Sequence, residues 1–164
     1  MYSNEHSTVA TGITVISVMV LGVEKGLITG FVLGWFSHYL LDYIAEPSYP
    51  GGWLAPQSTS YVVFVFCMIM LAITGHWVYL AAYVIGIISG NLADLIDKPW
   101  LFKKEMPLKY QASCHNGGSW FFRIGKFKLG FPTIIKTSIK QYFAINRIAI
   151  ILIVALTFFI FYYD

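Results

Sequence analysis

Histidine and carboxylate side chains gather where two apolar stretches end. His38 and Asp42 stand four residues apart at the close of the first stretch, and Glu46 follows four later. Asp94 and Asp97 close the second stretch. His6 precedes the first apolar run of the chain, and His115 lies in a later polar segment. On a helix, residues i and i+4 share a face, so His38 and Asp42 are spaced to chelate one ion. Imidazole and carboxylate oxygen suit zinc or another first-row metal. His38, Asp42, Asp94 and His6 are therefore the candidate ligands of a divalent ion, zinc or manganese. Asp97 and Glu46 are the candidate catalytic carboxylates, placed to accept a proton beside it. Ionisable residues within membrane spans are costly and mostly functional. Acids in a last helical turn also meet the negative end of the helix dipole. A bound cation offsets both costs. The competing reading is hydration of these acids at the membrane interface, with lysines of the following segment as partners.

The elements that carry these groups are copies of one design, 52 residues apart. Gly34-Trp35-Phe36-Ser37-His38-Tyr39-Leu40-Leu41-Asp42-Tyr43-Ile44-Ala45-Glu46-Pro47 aligns with Gly86-Ile87-Ile88-Ser89-Gly90-Asn91-Leu92-Ala93-Asp94-Leu95-Ile96-Asp97-Lys98-Pro99. Upstream, Gly26, Gly30 and Gly34 recur every four residues, as do Ala82, Gly86 and Gly90. On a helix this spacing forms one stripe, and small residues let membrane helices approach backbone to backbone. The repeat predicts that the two stripes face one another and bring Asp42 and Asp94 to the same depth.

Composition sets the class. Of 164 residues, 57% are hydrophobic and 12% charged, with mean hydropathy +0.67, against about 25% charged in soluble domains. The expectation is an all-α, polytopic transmembrane bundle: two repeated helical hairpins plus a C-terminal transmembrane helix. Spans are expected at Thr8–Val23, Leu27–Ala45, Tyr61–Thr74, Trp77–Ile96 and Tyr142–Tyr163, with turns at Glu24-Lys25-Gly26 and Gly75-His76. The chain divides into a first hairpin over 1–45, a loop over 46–60, a second hairpin over 61–97, a basic segment over 98–141 and a final helix over 142–164. The first apolar run reads as a retained helix, because Met1–His6 has no basic residue and no small-residue cleavage site follows. Four alternating spans put the N-terminus, the 46–60 loop and the basic segment on one side. Nine of the eleven lysines and arginines lie there, which makes it the cytoplasm; the C-terminus then lies outside. From Pro132, the spacing of Ile134, Ile135, Lys136, Ile139 and Lys140 predicts an amphipathic helix on the membrane, whose lysines would attract anionic lipid.

Other residues have plainer expected roles. His76 beside Trp77 fits an interfacial histidine, and Trp35 and Phe36 fit packing or lipid-facing positions. Cys67 fits a small buried apolar residue; with Cys114 in a polar segment, no disulfide framework is implied. Ser37 and Ser89 fit hydrogen bonds between helices. Nucleophile-elbow, phosphate-loop, dinucleotide and His-Glu-x-x-His motifs are absent. The basic residues form no nucleic-acid stripe.

At Gly34-Trp35-Phe36-Ser37-His38-Tyr39-Leu40-Leu41-Asp42 the chain resembles the YdjM-like family, small bacterial and phage inner-membrane proteins described as metal-dependent hydrolases. Ser37, His38 and Asp42 match its Ser-His-x-x-x-Asp element, and Pro47–Gly52 the turn rich in proline and glycine after it. His6 matches a histidine at the start of the family's first helix. Ala93-Asp94-Leu95-Ile96-Asp97 stands nearest its Pro-Asp-x-Asp element, without the proline and with one more spacer residue. The family's His-Arg-Gly-x-Thr-His-Ser element is missing, with Cys114-His115-Asn116-Gly117 its nearest trace, and the acidic pair here follows the Ser-His motif. The resemblance implies a divergent inner-membrane metal-dependent hydrolase.

The leading expectation is thus a membrane-bound hydrolase at the cytoplasmic interface, acting on a phosphoester or lipid head group. The alternative is a non-enzymatic structural or assembly subunit, as a homo-oligomer or within a membrane complex. An ion or proton pathway ranks below both, since the second and fourth spans carry polar groups at one end only.

Overall fold

The computed structural model describes residues 3–41, 44–45, 54–97, 118–124, 127–132, 135–136 and 138–163, with side chains described over 5–41, 59–93 and most of 138–163. Helices dominate: α1 (Ser3–Leu21), α2 (Val23–Leu41), α3 (Leu54–Ile73), α4 (Trp77–Asp97) and α5 (Ile139–Tyr163). Short strands lie between them: β1 (Ile44–Ala45), β2 (Gly118–Ile124), β3 (Phe127–Pro132) and β4 (Ile135–Lys136). β1 pairs in parallel with β4, and β2 antiparallel with β3.

The first reversal is tighter than the expected Glu24-Lys25-Gly26 turn. Gly22 alone separates α1 from α2, at φ 79°. That left-handed conformation is open to glycine at no steric cost. Its N–H donates to the Val18 carbonyl at 3.0 Å, and its own carbonyl accepts from Gly26 at 2.8 Å. Glu24, Lys25 and Gly26 are therefore the first turn of α2. The second reversal falls at Gly75, φ 84°, where a turn was expected. α1 begins at Ser3, which draws Glu5 and His6 into the helix, and α3 begins seven residues before Tyr61, with Pro56 in its first turn.

The glycine stripes do not face each other. α1 lies against both α2 and α4, and each stripe grips it. A Cβ added at Gly26 would strike the backbone of Ser17 and Val18; at Gly30 it would lie 2.6 Å from Thr14 Cα; at Gly86 it would strike the backbone of Thr11; at Gly90 it would lie 2.6 Å from the His6 carbonyl oxygen. Only Gly34 meets the other copy, at the Ser89 side chain, with Ala10 beside it. The reason lies in α1's own residues. Thr11, Thr14 and Ser17 are small, fall on adjacent turns, and are buried, so α1 offers close-approach surfaces to two partners. The two hairpins are accordingly not equivalent in their surroundings.

α3, α4 and α5 associate differently. Ser60, Phe64, Cys67 and Leu71 form the buried stripe of α3, and Asn146, Ala149, Ile153, Thr157 and Ile160 that of α5. Phe64, Cys67, Leu71, Tyr79, Tyr83, Ile153 and Ile160 interlock with Val15 and Val18 of α1 in one core. Two polar rungs cross it. Ser60 donates to Asn146 Oδ1 at 2.6 Å. Thr157 donates to the Ile153 carbonyl at 2.8 Å and accepts from the Tyr83 hydroxyl, also at 2.8 Å.

The interior is as polar as it is apolar. Glu5, His6, Ser7, Thr8, Thr11, Thr14, Ser17, Ser37, His38, Ser89 and Asn146 are buried, while Ile16, Val20, Ile28, Val32, Val62, Phe66, Ile73, Ile151 and Phe158 are exposed. α5 contains a stretch, Phe143–Tyr163, long and apolar enough to cross a membrane, and the apolar parts of α1, α3 and α4 are shorter.

The expected amphipathic helix from Pro132 is not formed. Phe127–Pro132 is β3, Ile135–Lys136 is β4, and the final helix starts at Ile139. Aromatic and β-branched residues favour strands, and Phe127-Lys128-Leu129-Gly130-Phe131 alternates with the strand period of two. The spacing of the isoleucines and lysines suited a helix, but the local composition favours strand.

Candidate functional site

The chemistry-bearing groups that the described residues bring together lie at the start of α1 and the end of α2. His6 and His38 are both buried, at 1% and 0% exposure. Their rings stack with centroids 3.9 Å apart and planes 21° from parallel. His6 is carried there because α1 starts at Ser3 and runs antiparallel to α2, so its first turns reach the last turns of α2. His38 lies on the glycine face of α2, four residues beyond Gly34, and is drawn inward with it.

His38 is oriented by the other copy of the repeat. Its Nδ1–H donates to the Gly90 carbonyl at 2.7 Å. A carbonyl only accepts, so the proton of a neutral ring sits on Nδ1 and the lone pair on Nε2. That backbone bond is a common way of fixing a histidine's tautomer for ligand or base duty. Gly90 is the repeat equivalent of His38, 52 residues on. A Cβ at Gly90 would meet the His6 carbonyl and Ala10, so this glycine admits the close approach of α1 beside the His38 acceptor.

Neighbouring polar groups frame the pair. Glu5, adjacent to His6, is 2% exposed. Asn91 Nδ2 donates to Ser7 Oγ and to the Ile87 carbonyl, both at 2.7 Å, tying α4 to α1 one residue beyond the His38 acceptor. Tyr39 lies edge-on to the His38 ring and is 4% exposed. The sequence alone does not single out Glu5 or Asn91: Glu5 reads as part of a polar N-terminus, and Asn91 aligns with Tyr39 in the first copy, so the repeat shows no shared amide. Glu5 stands one residue before His6, and that adjacency is the available signal.

The expected ligands divide into three groups. His6 and His38 meet. Asp94 and Asp97 belong to the last turns of α4, with side chains outside the described residues. Asp42, Glu46 and His115 lie wholly outside them. Among the described residues, no three histidine, cysteine or carboxylate side chains form a metal-binding group. With Nδ1 held on the Gly90 carbonyl, the lone pair of the neutral His38 ring lies on Nε2. His6 does not join it in this geometry: nitrogen lone pairs lie in the ring plane, so an ion in the plane of one stacked ring lies well outside the plane of the other. His6 instead packs the face of the His38 ring.

The repeated serines also differ from expectation. Ser37 donates to the Gly34 carbonyl at 2.7 Å and Ser89 to the Gly86 carbonyl at 3.2 Å. Both bond back to their own helix instead of bridging to another. Cys67 is buried and free, as a small apolar residue would be. His76 is partly buried, and its Nδ1 lies 3.2 Å from the Thr74 carbonyl beside the α3–α4 turn. No family model, curated protein or solved structure matches the chain.

Proposed function

We propose that the protein is a multi-pass membrane protein with a metal-dependent hydrolytic site at one end of α1, α2 and α4. The observation that carries the chemistry is His38: buried, and held by its Nδ1–H on the Gly90 carbonyl, so that Nε2 bears the lone pair of the neutral ring. Asp42 follows His38 by one helical turn in sequence, and Asp94 follows Gly90 by the same interval. This repeat relation supports His38, Asp42 and Asp94 as ligands of one zinc or manganese ion. Such an ion would supply an acidified water at this site; Asp97 or Glu46 would serve as the base that receives its proton, and His6 holds the His38 ring in place. The Ser-His-x-x-x-Asp resemblance to the YdjM-like family supports the same reading.

The membrane assignment rests on the inverted distribution of residues. Exposed apolar patches of this extent are rare on soluble monomers, and a coat of Ile28, Val32, Val62, Phe66, Ile151 and Phe158 suits lipid. Helices shorter than about 20 residues span by thinning the bilayer locally. The lysine-rich 98–141 segment supports a cytoplasmic side shared by the N-terminus and the site, and a phosphoester or lipid head group as substrate. The inner membrane of a bacterial or phage-infected cell is the location this implies.

A second reading has its own support. The histidine stack and the Gly90 bond also clamp α1, α2 and α4 together, as a purely structural or assembly subunit would require. Metal analysis separates the two. Purification without chelator yields about one zinc or manganese per chain under the hydrolase reading, and His38→Gln removes it. Metal-free protein of unchanged stability supports the structural subunit.

A further inference from the structure

The β2–β3 ladder sorts its residues by character. Ile124 pairs with Phe127, Phe122 with Leu129 and Ser119 with Phe131. Directly paired residues share a face of the ladder, so these six positions, five of them apolar, lie together. The other face takes Arg123 with Lys128, Trp120 with Gly130 and Gly118 with Pro132. The register shift between Trp120 and Phe122 makes this sorting possible. Two residues apart, they would otherwise share a face; the shift places Phe122 on the apolar face and Trp120 on the cationic one.

Two features of this hairpin are unfavourable in water. A two-stranded hairpin is marginal by itself, and like charges at directly opposite positions are unfavourable, the relation that the register gives positions 123 and 128. Both are relieved at a membrane boundary. The apolar face gains a hydrocarbon environment, and phosphate groups screen the paired cations. The hairpin lies beside α2, whose exposed Val32, Leu33, Trp35, Phe36 and Leu40 belong to the apolar coat. Beyond α2, the pairing of Ile44 and Ala45 with Ile135 and Lys136 holds the segment at the same end of the bundle.

We infer that the β2–β3 hairpin is an interfacial anchor: it lies on the bilayer by its Phe122–Ile124–Phe127–Leu129–Phe131 face and binds anionic phospholipid through Arg123 and Lys128. This rests on the membrane reading above, and it puts the lipid-binding role on a hairpin in place of a helix. Anionic lipid is thereby concentrated at the end of α2 that carries His38.

The test uses the full chain in lipid nanodiscs, with Cys114→Ser to remove the second thiol. Bimane is attached at Leu129→Cys or at Lys128→Cys, and the acyl chains are brominated. The label at 129 is quenched at least twofold and the label at 128 much less. In parallel, spin-labelled phosphatidylglycerol and phosphatidylcholine report the preference for anionic lipid. Arg123→Gln with Lys128→Gln lowers that preference by about fivefold per cation removed. Lys103→Gln with Lys104→Gln, an equal change of charge, lowers it much less, and Arg123→Lys retains it. Absence of quenching at 129 overturns the inference and assigns the apolar face to protein, as against α2. Equal quenching at both positions, or equal loss in the 103/104 variant, also overturns it. Failure of the membrane reading itself is distinguishable, because that protein would remain dispersed without detergent.

Discussion

The α1–α2–α4 group and the α3–α4–α5 group are held by opposite devices. In the first, Gly26, Gly30, Gly86 and Gly90 bring backbones together over Thr11, Thr14 and Ser17. Little side-chain freedom is lost there, but no added atom fits. In the second, Phe64, Leu71, Tyr83 and Ile153 fill a wider gap, and hydroxyl and amide groups form rungs across it. The difference teaches where the molecule tolerates change. It also places the buried histidines, which sit where α1 meets α2 and α4 backbone to backbone.

The largest effect is expected from bulk in the first group. Overpacking costs about 1–3 kcal/mol, and a backbone obstacle cannot rotate aside. Gly30→Leu and Gly86→Leu therefore destabilise the protein by about the upper end of that range, read as a lower melting temperature in detergent, whereas Val32→Leu, exposed on the same helix as Gly30, leaves it unchanged. Equal tolerance of all three would remove the basis for the close-packed trio.

Removing the histidine clamp comes next. His38→Ala takes away the donor to the Gly90 carbonyl and one ring of the stack. Leaving a buried acceptor without its donor costs about 1–3 kcal/mol. Gly90 variants should respond more strongly still, since a Cβ there meets His6 backbone. Thermal unfolding of the metal-free protein measures this without interference from an ion.

The smallest effect belongs to the rungs of the second group. Polar contacts between membrane helices average about 0.6 kcal/mol. Tyr83→Phe and Thr157→Val should each cost about that much, and the double variant little more, because they share one bond. Losses near 3 kcal/mol at either position would place the rungs, not the glycines, at the centre of stability.

Much of this arrangement can be read from residue spacing. Gly75 with a strong apolar run on each side marks the α3–α4 reversal, and the four-residue glycine period marks the close-packed faces of α2 and α4. His38 stands on that face by the same count. What the spacing does not reveal is the partner. Thr11, Thr14 and Ser17 look ordinary in a list, and their packing role appears only once α1 is placed between two glycine stripes. Glu24 and Lys25 are the polar residues that mark a turn in the sequence, yet a single glycine at positive φ, Gly22, suffices to make it. The β2–β3 hairpin had a visible signal in Trp120-Phe121-Phe122, the two-residue spacer Gly125-Lys126 and the alternation that follows. The spacing of Ile134, Ile135, Lys136, Ile139 and Lys140 further on suits a helix, and the two signals compete. For the proposed metal site, sequence supplies the spacing of the candidate ligands and the described structure the orientation of His38.

The central claim is that Asp42 and Asp94 share one ion with His38. A double-mutant cycle on thermal stability, run with and without EDTA, tests it most directly. Asp42→Asn and Asp94→Asn should each lower the melting temperature of the metal-loaded protein strongly. The double variant should lose much less than their sum, because residues of one network are non-additive. EDTA should erase the difference and leave either Asn variant as stable as the wild type or more so, since two neighbouring carboxylates without a cation repel. Additive losses that EDTA does not change would contradict a shared ion and favour the structural subunit.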